Sequence, residues 1–346
     1  MKAMAAVLVE QKKPLVVEEI DIPSVQEGQV LVRVLCSGIC GSQIGEIDGV
    51  KGPDKFLPHL LGHEGTAEVL ECGSGVKTVK AGDHVALHWR PGEGLQGTPP
   101  KYKSGRGVIN AGWITTFNKL ALISENRMTV IPKDLDIEVG ALMGCAVATG
   151  FGVIFNNAKL QRGQSLVVFG AGGVGLNMIQ AAALVGAAVI IAIDLYDNKL
   201  ELARKLGATH LINSSKADAA AEVRKIVGDA GADVAIDNTG NVKVIETAYD
   251  LTGPRGRTVL VGVPPKGNKV SIYTLPLHFG RVLTGSHGGE AEPAKDIPRY
   301  VEWVQGGKLS LKELVAKRYP LERINEAIAD MRSGAVAGRC MIDMSA

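Results

Sequence analysis

Over the first 145 residues, apolar positions fall in short runs bounded by Gly, Asp or Pro, as in "QVLVRVLCSG", "GTAEVLECG" and "DHVALHW". Such runs predict half-buried antiparallel strands, and no long helical periodicity accompanies them. From about residue 165 the pattern changes. Six apolar runs recur, "SLVVFG", "AVIIAID", "THLIN", "DVAIDN", "TVLVGV" and "RVLTGS". Helical stretches separate them, among them "GVGLNMIQAAALVG", "NKLELARKLG", "AAAEVRKIVG" and "NVKVIETAYDLTG". Strands alternating with helices predict βαβ units and a parallel sheet covered on both faces. Six runs match a doubly wound six-stranded sheet. The tail returns to helices, "IPRYVEWVQGG" and "PLERINEAIADMRSG". It ends in a strand, "RCMIDM", expected to pack back on the first domain.

A chain of 346 residues exceeds one ordinary core, so two domains are expected. The boundaries are placed at 1–147, 148–284 and 285–346, the last segment rejoining the first. Hydrophobic content of 46% with 21% charged residues describes a soluble globular protein. A formal charge of +2 supplies no basic field for nucleic acid or an anionic membrane. The five cysteines, Cys36, Cys40, Cys72, Cys145 and Cys340, are odd in number and scattered. They read as reduced thiols or metal ligands, not a disulfide framework. The N-terminus lacks a signal-peptide cleavage site. The longest apolar stretch identified, "AAALVGAAVIIAI", falls short of the roughly 20 residues a bilayer requires. A cytoplasmic protein is expected.

"VVFGAGGVGLNM" carries Gly170, Gly172 and Gly175 in a G-x-G-x-x-G pattern, with Gly173 inside it, directly after a strand and opening a helix. The first glycine permits the tight turn and the second lets a pyrophosphate approach the backbone. The third allows close helix–strand packing, and the helix N-terminus attracts phosphate. Asp194 ends the next strand, where an acidic residue accepts hydrogen bonds from adenosine ribose hydroxyls. It would also repel a 2′-phosphate, and "DLYDN" offers no arginine to offset this. NAD is therefore favoured over NADP.

"GICGSQIGEIDG" sets Cys40 between glycines, and a lone cysteine is more often a buried hydrophobe than a ligand. His63 in "LLGHEGTAEV", taken alone, reads as a satisfied core histidine; Cys145 sits in "LMGCAVATGFG". Together "GICGS", "GHEG", "GCAVATG", "GAGGVG" and "DNTG" resemble the medium-chain zinc-dependent alcohol and polyol dehydrogenases along essentially the whole chain. The resemblance implies a GroES-like β-rich catalytic domain interrupted in sequence by the Rossmann domain. It implies Cys40, His63 and Cys145 as ligands of a catalytic zinc, with Glu64 beside them or as a fourth ligand in the resting state. Two thiolates and a neutral imidazole balance Zn²⁺ and leave one position open. By the same resemblance Ser42 relays the alcohol proton, and Thr149 and Val174 line the nicotinamide. Val261 and Val263 contact the carboxamide, Lys199 lies near the adenosine ribose, and Arg339 contacts the pyrophosphate. Cys36, Cys72 and Cys340 are read as packing residues.

Two departures from the family pattern stand out. Gly45 occupies the position where many relatives carry a proton-relaying histidine, and Gln43 stands where aspartate is common. No cysteine lies between Cys72 and Cys145, where many relatives place four for a structural zinc. One catalytic zinc per chain is expected, with that lobe held by packing and loop hydrogen bonds and with Trp89, Tyr102 and Trp113 as anchors. The expected activity is hydride transfer between a secondary alcohol, polyol or sugar-like substrate and NAD. An S-(hydroxymethyl)glutathione-type dehydrogenase and a noncatalytic NAD-binding protein on the same fold are the alternatives. Trp89 is weighed equally as pocket wall and as core. Lys101, Lys103 and Arg106 read as a solvated loop before an anion-attracting rim. The apolar edge run "GRVLTGSHGG" predicts a homodimer or homotetramer.

Overall fold

The computed structural model describes residues 1–334 and 336–345. It divides into two compact units, residues 1–145 with 292–346, and residues 146–291. The sequence reading put the second division seven residues earlier, after residue 284. Residues 286–291 stay with the second unit because Gly289 packs against the backbone of Gly152, where a Cβ on Gly152 would lie 2.4 Å from the Gly289 carbonyl oxygen. Asn156 also donates to that oxygen at 2.8 Å.

The first unit is β-rich. Strands Lys2–Leu8, Val16–Asp21, Lys101–Ser104, Gly107–Asn110 and His59–Leu60 close a small barrel. A seven-stranded sheet is centred on Gln29–Gly38, which pairs antiparallel with Glu64–Cys72, with Leu120–Ser124 and with Arg339–Asp343. The tail strand therefore returns to the first domain, with Met341 opposite Gly38. Its parallel neighbour Val315–Pro320 was not anticipated. That edge strand leaves Ala316, Lys317 and Arg318 exposed, so no apolar alternation marks it. The sheet's inner face, including Val30, Val32, Val34, Val69, Val85 and Leu87, packs with the tail residues Ile324, Ile328 and Ile342.

The lobe between Trp89 and Trp113 is tied down by a carboxylate. Glu125 Oε1 accepts from the amides of Lys77 and Thr78 at 2.6 and 2.7 Å and from Thr78 Oγ1 at 2.9 Å; Oε2 accepts from the Leu95 amide at 2.6 Å. Among the expected anchors, Tyr102 is fully buried and its phenol oxygen accepts the Leu122 amide at 2.8 Å. Trp113 instead lies 41% exposed beneath Arg127. Burial works against the charge of Glu125, but its hydrogen bonds outweigh it and hold the pKa below 4.5. A depressed folded pKa stabilises the protein above the unfolded value, and the gain is lost as pH falls from 4.5 through the folded value. Glu125→Gln, whose amide must present N–H to the Leu95 N–H, is expected to cost about 2–3 kcal/mol at pH 7. In urea unfolding the gap between the two proteins should narrow below pH 4.5; a constant gap would remove the carboxylate from this role.

In the second unit all six expected runs are strands. The order is His210–Asn213, Val189–Asp194, Ser165–Phe169, Ala232–Asp237, Thr252–Leu260 and Val282–Gly285, every pair parallel. Helices Gly173–Val185, Asp197–Lys205, Ala219–Val227 and Val242–Leu251 make the crossovers. The central strands Val189–Asp194, Ser165–Phe169 and Ala232–Asp237 are covered on both faces and so are mostly apolar, whereas the edge strand Val282–Gly285 has no fully buried residue. Chain order reverses between Ser165–Phe169 and Ala232–Asp237, and such a switch point opens a crevice at the carboxyl ends of the strands.

The stretch "AAALVGAAVIIAI" splits into a helix end and a strand, with Gly186 closing the helix in the left-handed conformation. A longer apolar helical run, residues 137–158, was not singled out in the sequence. Among the described residues it alone is long and apolar enough, by length and composition, to cross a membrane, and 89% of an 18-residue stretch within it is buried.

Candidate active site

Three chain segments deliver the metal-ligating side chains. Cys40 ends the strand-to-helix turn ahead of the short helix Gly41–Ile47. His63 follows Gly62, whose φ of +94° and crowding against Thr116 and Phe117 exclude a side chain. Cys145 lies in a π-helical turn, Met143–Val147. Gly144 there lets the backbone close on the strand His84–His88, since a Cβ would stand 1.9 Å from the Leu87 carbonyl oxygen. Widened turns of this kind recur at functional sites, where they re-aim a side chain.

The three ligand atoms lie within 4.8 Å of one another, and the two sulfurs are 4.0 Å apart. Sulfurs each about 2.3 Å from a tetrahedral zinc stand roughly 3.8 Å apart, so the pair already has the required spacing. His63 Nε2 is closed to solvent and has no hydrogen-bond partner. A buried imidazole nitrogen without a partner is costly unless something binds it. The donor set thus fits a zinc ion. Glu64 lies outside this cluster; it is fully buried, with Oε1 3.4 Å from Arg339 Nε. Gly38 makes room for it, because a Cβ there would meet Glu64 Oε1 at 2.5 Å.

Arg339, expected at the pyrophosphate, is placed behind the ligands. It donates to the Ile39 carbonyl at 3.2 Å and to Cys40 Sγ at 3.5 Å, and it is itself buried. The Cys145 thiol, donating toward Cys40, and the Arg339 guanidinium together overcome burial and hold Cys40 well below the ordinary thiol range. Cys145 is pushed up by the same shared proton and by burial. Burial opposes the charge of Arg339, but Cys40 and Glu64 outweigh it, so the guanidinium is firmly cationic. The pair therefore offers one thiolate readily, and a dication removes the second proton. Ser42 is exposed at the start of the short helix, two residues after Cys40. The contacts of Gln43 carry no signal in the sequence beyond a spacing: a glutamine three residues after the residue that precedes a helix can reach back to its amide.

Apart from Arg339, the residues expected at the nucleotide lie in the second unit. Gly170 has φ +97°, and a Cβ on Gly175 would lie 2.0 Å from the Gly170 carbonyl oxygen. Gly172 faces open space, with no atom within 4 Å of where its Cβ would be. Here the sequence argument for each glycine has a geometric counterpart, and Gly173 opens the helix beneath. Asp194 Oδ2 accepts the Ala171 amide at 2.8 Å, tying the acidic residue to the glycine turn, and Lys199 Nζ stands 3.9 Å from Oδ1. Val174 and Val261 are half-buried and Val263 is exposed, while Thr149 is buried in the helix Ala148–Gly152. Asp237 Oδ1 and Oδ2 accept the amides of Thr239 and Gly240, fixing the "DNTG" turn beside Gly170.

The alcohol dehydrogenase GroES-like domain family matches residues 26–133, and the zinc-binding dehydrogenase family matches residues 173–306. S-(hydroxymethyl)glutathione dehydrogenase from Paracoccus denitrificans is 32% identical, over 96% of this chain and 98% of that one. This chain belongs to the medium-chain zinc alcohol dehydrogenase family. Among solved structures, an alcohol dehydrogenase zinc-binding domain protein from Burkholderia ambifaria superposes with TM-score 0.90 at 32% identity over 99% of both chains. Benzyl alcohol dehydrogenase from Acinetobacter calcoaceticus gives 0.89 at 30% identity over the same share of each. As a medium-chain alcohol dehydrogenase, the chain is an oxidoreductase of alcohol groups, and zinc and NAD are its expected cofactors.

Proposed function

We propose that this enzyme oxidises a secondary alcohol, polyol or sugar-like substrate with NAD, using one zinc held by Cys40, His63 and Cys145 and no structural zinc. The observation that carries this reading is the convergence of two sulfurs and an unpartnered imidazole nitrogen within 4.8 Å. Bound there, zinc supplies Lewis acidity that favours the alkoxide of a bound alcohol, and NAD accepts the hydride. Cys40 and Cys145 contribute the charge that balances the ion, and Arg339 fixes the Cys40 sulfur from behind. Ser42 takes the hydroxyl proton outward. Glu64 neutralises Arg339. Absence of cysteine from residues 73–144 supports a single zinc. The five free cysteines favour a reducing, cytoplasmic setting.

Elemental analysis should find one zinc per chain. A panel of polyols, sugars, simple alcohols and S-(hydroxymethyl)glutathione, read by NADH absorbance, should single out a polyol or secondary alcohol. Two tightly held zincs, or exclusive use of the glutathione adduct, would overturn the respective parts.

Gly172 to Gly175 cradle the pyrophosphate in this reading, with Asp194 at the ribose. Asp194→Ala is expected to weaken NAD by about tenfold, the worth of one charge-assisted hydrogen bond, and to narrow the preference over NADP. Wild-type catalytic efficiency higher with NADP would reject the assignment.

The subunits associate through the free edge of the parallel sheet. Among the described residues Val282–Gly285 is paired on one side only, and the preceding segment exposes Tyr273 (68%), Leu275 (48%) and Phe279 (71%). An apolar edge of this kind is an aggregation hazard unless covered. Light scattering at micromolar concentration should give a dimer or tetramer mass; a monomer would contradict this.

A further inference from the structure

The side chain of Gln43 is buried between two fixed partners. Its Oε1 accepts the backbone amide of Cys40 at 2.9 Å, and its Nε2 contacts His63 Nδ1. A carboxamide has an acceptor end and a donor end, and each partner limits which end it can meet. The Cys40 N–H can only donate, so the oxygen must face it. The NH₂ is thereby directed at His63 Nδ1, which must accept. A neutral imidazole that accepts at Nδ1 carries its proton on Nε2, the nitrogen without a partner. A metal needs the lone pair of Nε2, which relocates that proton to Nδ1 and sets N–H against N–H.

From this conflict we infer that Gln43 opposes metal retention, so that zinc uptake is coupled to reversal of the Gln43 amide. Reversal lets Oε1 accept from Nδ1–H but strips the Cys40 amide of its acceptor. Either orientation leaves one buried donor unmatched in the loaded protein, and a buried unmatched donor carries a full desolvation cost. The protons balance. The proton shared between the two sulfurs is lost to solvent as the dication enters, and the imidazole stays neutral with its proton moved from Nε2 to Nδ1. A carboxylate of the same length would accept from both neighbours at once. Gln43 is in this sense a positioning residue that keeps the divalent-cation site exchangeable.

The test uses the full chain as wild type, Gln43→Glu and Gln43→Met, each loaded with zinc and titrated with a fluorescent chelator. Gln43→Glu is expected to hold zinc about 10–100-fold more tightly than wild type, the range spanned by partners of metal-ligating histidines. Gln43→Met, which removes both ends of the amide, should change affinity by less than about threefold, because the amide gives the loaded site no net support. Amide exchange at Cys40, followed by hydrogen–deuterium mass spectrometry, should quicken on zinc loading in wild type and not in Gln43→Glu. A folded Gln43→Glu that binds no tighter would overturn the inference. So would a Gln43→Met that loses tenfold or more, and this second variant decides the matter if the glutamate protein does not fold. The inference rests on the zinc reading above, and the two fail differently. A wild type that takes up no zinc sinks the reading, whereas normal uptake with an indifferent Gln43→Glu sinks only the inference.

Discussion

Cys40→Ser is expected to lower turnover by about 10³-fold or more and to release the zinc while leaving the fold intact. Lewis-acid stabilisation is worth several kcal/mol, and each 1.4 kcal/mol or so is a decade in rate. Serine matches the thiol in shape but stays protonated, so neither the charge balance nor the sulfur bond survives. The residual set of one thiolate and one imidazole is too small for a tetrahedral site. Stability should change little, because the first unit's core is assembled from Val30, Val32, Val34, Leu87, Ile324 and Ile342, independent of the ligands. Elemental analysis, NADH formation and far-ultraviolet circular dichroism on one preparation separate the cases. If Cys40 were a packing residue, the variant would keep zinc and turnover and lose only melting temperature. Full activity with full zinc content would remove Cys40 from the site.

The parts of this architecture that are legible in the sequence have two physical causes, burial and steric exclusion. The central strands of the second unit, Val189–Asp194, Ser165–Phe169 and Ala232–Asp237, are buried on both faces, so each is a mostly apolar run with glycine or polar residues at its ends. The glycine turn is legible because its residues have no substitute: a Cβ on Gly175 would overlap a backbone oxygen. Val315–Pro320 was silent because a sheet-edge strand with one buried residue has no pattern to read. The long helical run 137–158 is hard to read because burial on nearly all sides over most of its length erases amphipathic periodicity.

For the site, the ligands lie 23 and 82 positions apart along the chain (63 − 40 and 145 − 63), and nothing local joins them. Only the ordered set of motifs did so. What those motifs could not give was the company each residue keeps. The resemblance places Arg339 at a pyrophosphate, and the structure adds what the sequence is silent on, its buried contacts with Ile39, Cys40 and Glu64. Gln43 was noted as a departure, but its two hydrogen bonds emerge only from the turn that brings Cys40 and His63 together. Glu125 is one of many acidic residues in the sequence. Its four hydrogen bonds join segments near 77, 95 and 125, a long-range closure no window reveals.

Ser42→Ala is expected to lower turnover by about 10²-fold, at the low end of what a positioned proton-transfer group contributes. Zinc content and NAD binding should stay nearly unchanged. Ser42 is exposed and makes no side-chain hydrogen bond among the described residues, so removing its hydroxyl leaves the helix Gly41–Ile47 undisturbed. The alcohol proton must leave before or with the hydride, and a hydroxyl can pass it on by accepting on one lone pair while donating its own hydrogen. Beyond Ser42 the chain offers Gly45, which can neither accept nor donate through a side chain. The next acceptor is therefore water or a ribose hydroxyl, and the relay should be insensitive to the titration of any histidine at that position. A deuterated alcohol establishes whether hydride transfer limits the rate. With a full isotope effect in both proteins, equal turnover of Ser42→Ala and wild type would take Ser42 out of the proton path. With the expected loss, Ser42→Thr should restore most of the rate, because it returns the hydroxyl and nothing else that a proton could use.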